Sequence, residues 1–286
     1  MKKYLSYIFL ALSSLTANAI EPSYAYLKAE YEAWNLRDEP PANDPENPKK
    51  NRFILQIAPG SSYYYDPQTF YVDSLKHDPN GRAIYDQAFE AALDEFMRTG
   101  ADALKIMKEK GLMSKDHYRC RKDFESEEIT IWNDSGADKY KYTIPMSELT
   151  WELSDSTTTV LGYECSSATA DYHGRRWRAW FALDIAVQDG PWQLCGLPGL
   201  ILKAETMDGN YGFEIKGLQK CNEPLKDPFE DDKTFKTKRK SYLKMRDHTL
   251  RNRAAQIKAM TGGNVNLSDK IDYKGKDDFL ETDYHE

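Results

Sequence analysis

Hydrophobic and polar residues alternate along most of the chain, and this period of two is typical of β-strands with one buried face. The segments with this character lie at 52–57, 140–144, 158–165, 177–185, 200–202 and 211–216, and turn residues such as Asp208–Gly209–Asn210 separate them. Short strands divided by turns predict an antiparallel sheet of many strands that is either curved or partly closed.

Two segments change to a period near 3.6, which is typical of amphipathic helices. The first, at about residues 82–111, carries apolar residues at three- and four-residue steps and has a break at Gly100. The second, at about residues 231–261, is rich in Lys and Arg and ends at Gly262–Gly263. We therefore predict an α+β fold that is mainly β, with an inserted amphipathic helix and a C-terminal basic helix.

The amino-terminal residues have the pattern of a targeting signal. Lys2 and Lys3 precede an apolar run, and Ala17–Asn18–Ala19 forms a small-residue cleavage site. We expect cleavage near Ala19 and export to the periplasm or the extracellular space. Residues 20–262 then form one β-rich domain, and residues 263–286 form an acidic tail that we expect to be loosely ordered.

Composition limits the classes of partner and cofactor. Hydrophobic residues make up 40% of the chain, which supports a packed core, and the formal net charge of −7 argues against general nucleic-acid binding. The histidines are scattered and no Cys-x-x-C spacing occurs, so we predict neither a metal nor a cofactor.

The four cysteines, an even number, predict disulfide bonds in an exported protein. They are Cys120, Cys165, Cys195 and Cys221. Four cysteines allow three pairings. We predict a disulfide between Cys165 and Cys195, because these two residues flank the central strand.

The central region resembles the GLPGLI family, which is named for its own motif. The matching residues are Leu161–Cys165, Ala168, Gly174–Arg175, Trp177, Ala179–Phe181, Asp184–Ile185, Gly190–Trp192 and Gly196–Leu202. Ala186 departs from the family pattern, which often has proline there. The resemblance implies export and a β-rich fold and assigns no activity.

Within that motif, residues Gly196, Leu197, Pro198, Gly199, Leu200 and Ile201 are interpreted as a folding signature. Pro198 and Gly199 predict a type II turn with Gly199 at positive φ.

Candidate binding residues lie on the central strand. In strand register, Arg175 and Trp177 share the apolar face, whereas Trp180 and Asp184 share the other. Arg175 is either a ligand-binding cation at the mouth of the sheet or the structural partner of an acid.

No residue stands out as a catalytic nucleophile or base. Ser166 and Ser167 lack a nucleophile-elbow context, and we interpret His173, in a turn, as a solvated residue.

Two classes of function remain open. The first is a non-catalytic carrier that binds a lipid or another hydrophobic or amphipathic ligand among its many Tyr and Trp residues. The alternative is a secreted hydrolase or a protease-associated accessory factor with dispersed active-site residues. The basic segment Lys233–Lys258 predicts a transient contact with an anionic membrane surface in the first case.

Overall fold

A computed structural model describes residues 23–36, 50–100, 103–135, 138–229, 233–252 and 280–285. The predicted signal peptide lies outside these residues. The strands are β1 (Tyr24–Asn35), β2 (Lys50–Ala58), β3 (Ser61–Tyr65), β4 (Arg119–Asp123), β5 (Glu128–Ser135), β6 (Asp138–Pro145), β7 (Glu152–Val160), β8 (Tyr163–Tyr172), β9 (Arg175–Ala182), β10 (Leu200–Thr206), β11 (Tyr211–Pro224) and β12 (Thr234–Lys236). The helices are α1 (Pro67–His77), α2 (Pro79–Thr99), α3 (Ala103–Glu109) and α4 (Arg239–Arg251).

All twelve strands belong to one sheet, in the order β12-β6-β5-β4-β3-β2-β1-β11-β10-β9-β8-β7. Neighbouring strands are antiparallel except for β12 and β6, which are parallel. Within the described residues the end strands β12 and β7 do not pair with each other, so the sheet is open. The prediction of a mainly β fold around an antiparallel sheet is confirmed.

The main core lies on one face of this sheet. Alternation in β9 buries Trp177, Ala179 and Phe181 on that face, as the sequence predicts. Residues 183–199 connect β9 to β10, and we call them the cover loop. Its Trp192 and Leu194 are packed into the same core cluster. The cover loop therefore fills part of the interior with its own side chains.

The helical insertion is longer than predicted. It begins at Pro67 rather than near residue 82, and it consists of three helices. Asp66 accepts a hydrogen bond from the Thr69 amide and Asp78 accepts one from the Gly81 amide, so each Asp–Pro pair starts a helix. Both helices begin at these pairs because Asp is a preferred N-cap and Pro is a preferred first helical residue. The break at Gly100, which has φ +71°, is as predicted.

The carboxy-terminal helix is shorter than predicted. Residues 234–236 form strand β12, and α4 begins only at Arg239. Residues 253–279, which include the end of the predicted helix and most of the tail, lie outside the described residues. Residues 280–285 pack against the domain and bury Tyr284 fully, so the expectation of a loosely held tail is wrong for them.

Among the helices that the structure describes, none has the length and the apolar character needed to cross a membrane.

Candidate functional site

An aromatic cluster lies at the centre of the main core. Trp177 of β9, Trp192 of the cover loop and Phe213 of β11 contact one another, with centroid distances of 5.5 Å (Trp177–Trp192), 6.0 Å (Trp177–Phe213) and 6.3 Å (Trp192–Phe213). Tyr64 of β3 contacts Phe213 edge to face at 6.5 Å, and Tyr172 contacts Trp192 in the same way at 5.8 Å. Side chains from distant strands and from the cover loop thus form one continuous aromatic interior.

Three polar atoms inside this cluster are buried without a hydrogen-bond partner among the described residues. They are Tyr64 Oη, Trp177 Nε1 and Gln193 Nε2. The other end of the Gln193 amide accepts a hydrogen bond of 3.1 Å from Tyr172 Oη. Burial raises the pKa of Tyr64 well above its usual value, so its hydroxyl keeps its proton. Tyr64 Oη and Trp177 Nε1 are therefore available as hydrogen-bond donors, and Gln193 Nε2, whose amide also acts on the Tyr118 hydroxyl, has two hydrogens to donate.

A buried ion pair holds the cover loop against strand β4. Lys122 Nζ lies 2.6 Å from Asp189 Oδ1, and the two side chains are 1% and 0% exposed. The same ammonium donates to the carbonyls of Gly190 at 2.6 Å and Leu194 at 3.1 Å. Burial lowers the pKa of Lys122, but Asp189 together with Cys120 and Cys195 outweighs it and raises the pKa above its ordinary value. Lys122 is therefore a cation with all three of its donors used.

The glycines of the GLPGLI motif have roles that differ from the predicted turn. Gly199 does not have a positive φ; the positive φ of +88° belongs to Gly196. A Cβ on Gly199 would lie 2.1 Å from the Ala182 carbonyl oxygen, so the residue is needed for a close backbone approach. The prediction of positive φ at Gly199 is wrong, because the constraint comes from β9 and not from a local turn.

The four cysteines are free thiols, so the predicted Cys165–Cys195 disulfide does not form. The sulfhydryls of Cys120, Cys165 and Cys221 each donate to a main-chain carbonyl, those of Trp192, Tyr163 and Ala25 respectively. Burial raises the pKa of Cys120 to about 12 and that of Cys195 to about 11. Both therefore stay in the thiol form, which is the unreactive one.

The structure does not bring the four predicted binding residues together. Arg175 is nearly buried, over the Tyr211 ring at 4.4 Å and 3.5 Å from an Asp208 carboxylate oxygen. Trp177 lies inside the aromatic cluster, whereas Trp180 lies on the opposite face under Lys203 at 4.9 Å. Asp184 is exposed in the cover loop. Of the four, only Trp177 belongs to the aromatic interior. Arg175 is paired with an acid, Asp208, which is the structural one of its two predicted roles.

A second charged cluster surrounds His173. This residue is buried, so the expectation that it is solvated is wrong. Its ring lies 3.7 Å from the Tyr172 ring, at a tilt of 30°, and is 4.0 Å from Glu281 and 3.9 Å from Asp283. Arg239 contacts both of these carboxylates. This cluster is not visible in the sequence, because His173, Arg239 and the Glu281–Asp283 pair lie more than forty residues from one another and no motif spacing connects them.

A narrow cleft on the other face of the sheet is lined by Tyr63, Asp66, Asp116 and Arg119, among others. Its volume of about 10 Å³ is enough for about one water molecule. Across the part of the chain that the structure describes, no group of three or more His, Cys, Asp or Glu residues is placed to hold a metal ion.

No protein-family model matches the chain, and no curated protein matches it. Among solved structures, those of PNGF-II in space groups P21 and C2 are similar, with 12% sequence identity and TM-scores of 0.48 and 0.46. The matches cover 79% of this chain and 34% and 33% of those chains. The chain thus spans about a third of the length of the structures that it resembles.

Proposed function

We propose that the protein is a non-catalytic binding or carrier protein for an amphipathic ligand. The observation that supports this proposal is the set of three buried donors, Tyr64 Oη, Trp177 Nε1 and Gln193 Nε2, within one aromatic cluster. A buried donor without a partner costs about 1–3 kcal/mol. A ligand with acceptor oxygens and an apolar body would remove that cost and pack against Trp177, Trp192 and Phe213.

In this proposal the cover loop controls access to the interior. Trp192 and Gln193 belong to the loop and lie in the interior, so outward movement of the loop admits the ligand and its return brings both side chains against the ligand. The Lys122–Asp189 pair opposes this movement. A sheet that curves around the interior is part of the same proposal, because a curved sheet encloses a ligand on several sides.

The proposal includes membership of the GLPGLI family, removal of the amino-terminal signal and export. It also includes contact with anionic lipid through the basic segment that contains α4. In the described part of that segment, Lys236, Lys238, Lys240 and Lys244 are exposed, whereas Arg239 is buried against acids of the same chain. The lysines are thus the cations that would meet a membrane, each contributing about 1 kcal/mol near the surface.

The first test is mass spectrometry of organic extracts from the purified protein. We expect a stoichiometric amphipathic molecule that is absent from a control protein purified in parallel. Titration with oleate, which joins a carboxylate acceptor to an apolar chain, should quench tryptophan fluorescence in a saturable way. An empty extract together with no saturable oleate binding would contradict the proposed function.

A pair of tyrosine variants tests the location of the site. Tyr64→Phe removes the partnerless hydroxyl, so we expect oleate to bind roughly tenfold more weakly while the unliganded protein keeps or gains stability. Tyr31→Phe is the control, because Tyr31 is equally buried but its hydroxyl donates to the Ile201 carbonyl at 2.7 Å. Removal of the Tyr31 hydroxyl should lower the free energy of unfolding by about 1 kcal/mol. Equal effects of the two variants on binding would move the site elsewhere.

A further inference from the structure

The last described residues, 280–285, bind to the domain as a separate peptide would. We call them the C-terminal segment. They do not belong to the sheet, and they contact the two-residue turn between β8 and β9 and the start of α4. The Thr282 amide donates to the His173 carbonyl at 3.0 Å, and Arg175 Nε donates to the Leu280 carbonyl at 3.0 Å. The main chain of the segment is thus recognised at two points.

Two carboxylates of the segment meet one buried guanidinium. Arg239 Nε lies 2.6 Å from Glu281 Oε2, and its two terminal nitrogens lie 2.5 and 3.0 Å from the Asp283 oxygens. The Arg239 side chain is only 8% exposed. Burial opposes ionisation of Asp283, but the nearby His173 and the hydrogen bonds from Arg239 outweigh it and hold its pKa well below the usual value. The site therefore favours the ionised form of Asp283.

The turn itself is shaped to admit the segment. A Cβ on Gly174 would lie 2.3 Å from Thr282 Oγ1 and 2.8 Å from the Asp283 amide nitrogen. Gly162, in the turn between β7 and β8, has the same φ of +82° and has no described atom within 4 Å of its Cβ position. The backbone conformation requires glycine at both turns, whereas the close contact is specific to Gly174.

We propose that His173, Gly174, Arg175 and Arg239 form a binding site for acidic peptides of the pattern Glu-x-Asp-Tyr. The C-terminal segment occupies this site as an internal ligand. The site recognises charge, two main-chain groups and one buried aromatic ring, and all of these are features of a short peptide rather than of this chain alone. A peptide with the same pattern from another molecule therefore competes with the segment. This site adjoins the aromatic cluster, since the His173 ring contacts Tyr172 and Trp192, but the proposal does not depend on the function of that cluster.

The first experiment makes the segment exchangeable in the full chain. A specific protease recognition sequence is inserted after Asn264, the protein is cleaved, and a fluorescent peptide with the sequence of residues 279–286 is added. We expect saturable binding of the labelled peptide and displacement of the cleaved fragment. A peptide with Asp283→Asn should bind at least about thirtyfold more weakly, since it leaves part of a buried guanidinium unpaired. Failure of the fragment to exchange, or unfolding of the domain on its release, would overturn the proposal.

The second experiment uses the two turn glycines as a matched pair. Gly174→Ala and Gly162→Ala introduce the same backbone strain, but only the first places a methyl group against the segment. Hydrogen exchange of residues 280–286 should rise at least about tenfold in Gly174→Ala and stay at the wild-type rate in Gly162→Ala. Circular dichroism of both variants checks the fold. Equal protection of the segment in the two variants would show that Gly174 does not form part of the site.

Discussion

Lys122 and Asp189 form an ion pair at 2.6 Å in which both side chains are almost completely removed from solvent. The pair joins strand β4 to the cover loop, which lies 67 residues further along the chain. Taking two charges out of water is unfavourable, so each partner is stable there only while the other is present. The position of the cover loop therefore depends on this contact.

Replacement of Lys122 by methionine tests that dependence. Lys122→Met leaves the Asp189 carboxylate buried without a cation, and we expect a loss of about 3–5 kcal/mol in the free energy of unfolding, measured in urea. Lys203→Met is the control, because Lys203 pairs with Glu205 at 3.2 Å in a partly exposed position. Its loss should cost about 0–1 kcal/mol. Equal losses in the two variants would contradict a special role for the buried pair.

Two glycines of the cover loop, Gly196 and Gly199, should lose different amounts of stability when each is replaced by alanine. In Gly199→Ala the new Cβ meets the Ala182 carbonyl at 2.1 Å, so β9 and the loop must separate. We expect a loss of more than about 3 kcal/mol, because the main chain has to move. Gly196→Ala meets open space and carries only the strain of a positive φ, about 1–3 kcal/mol. Unfolding of both variants in guanidinium measures which one loses more free energy of unfolding. A larger loss in Gly196→Ala than in Gly199→Ala would refute the close-contact explanation.

The thiols provide a direct check on the absence of disulfides. In denaturant, all four cysteines should react with a thiol reagent. In the folded protein Cys221 should react first, because it is partly exposed while Cys120, Cys165 and Cys195 are buried. Cys221→Ser should remove this early phase. Fewer than four thiols in the unfolded, unreduced protein would mean that a disulfide forms after all.

Stability should fall as the pH rises through the range in which histidine titrates. His117 Nδ1 lies 2.9 Å from Asp134, and the hydrogen bond to that carboxylate raises the pKa of His117 although burial opposes it. The folded protein therefore holds this proton more tightly than the unfolded chain. The contribution is complete below the unfolded pKa of about 6.5 and is lost as the pH passes through the raised folded value.

The size of this effect is limited, because the His117 side chain is 40% exposed. We expect less than about 1 kcal/mol between pH 6 and pH 8, measured by urea unfolding at both values. His117→Gln should reduce the difference between the two values. An unchanged difference in that variant would assign the pH dependence to another group.

Local signals in the sequence predict much of the secondary structure. Alternation identifies β9 and its buried face, because side chains in a strand point to opposite sides with a period of two. Gly209, at φ +72°, lies in the turn that joins β10 to β11, as its neighbours Asp208 and Asn210 indicate. Each of these features depends on a few consecutive residues, so the sequence contains the relevant information.

Other features depend on contacts between residues that are far apart in the chain. Gly199 is required because Ala182 approaches it, Lys122 because Asp189 is buried beside it, and Gly174 because the C-terminal segment crosses it. No periodicity or motif spacing connects such pairs, since their separation along the chain bears no relation to their distance in the fold. The sequence by itself determined the alternation of strands such as β9, the turn at Gly209 and the break at Gly100. The tertiary structure alone decided which charges are buried together and which backbone atoms approach closely, because burial and close contact are properties of the packed chain.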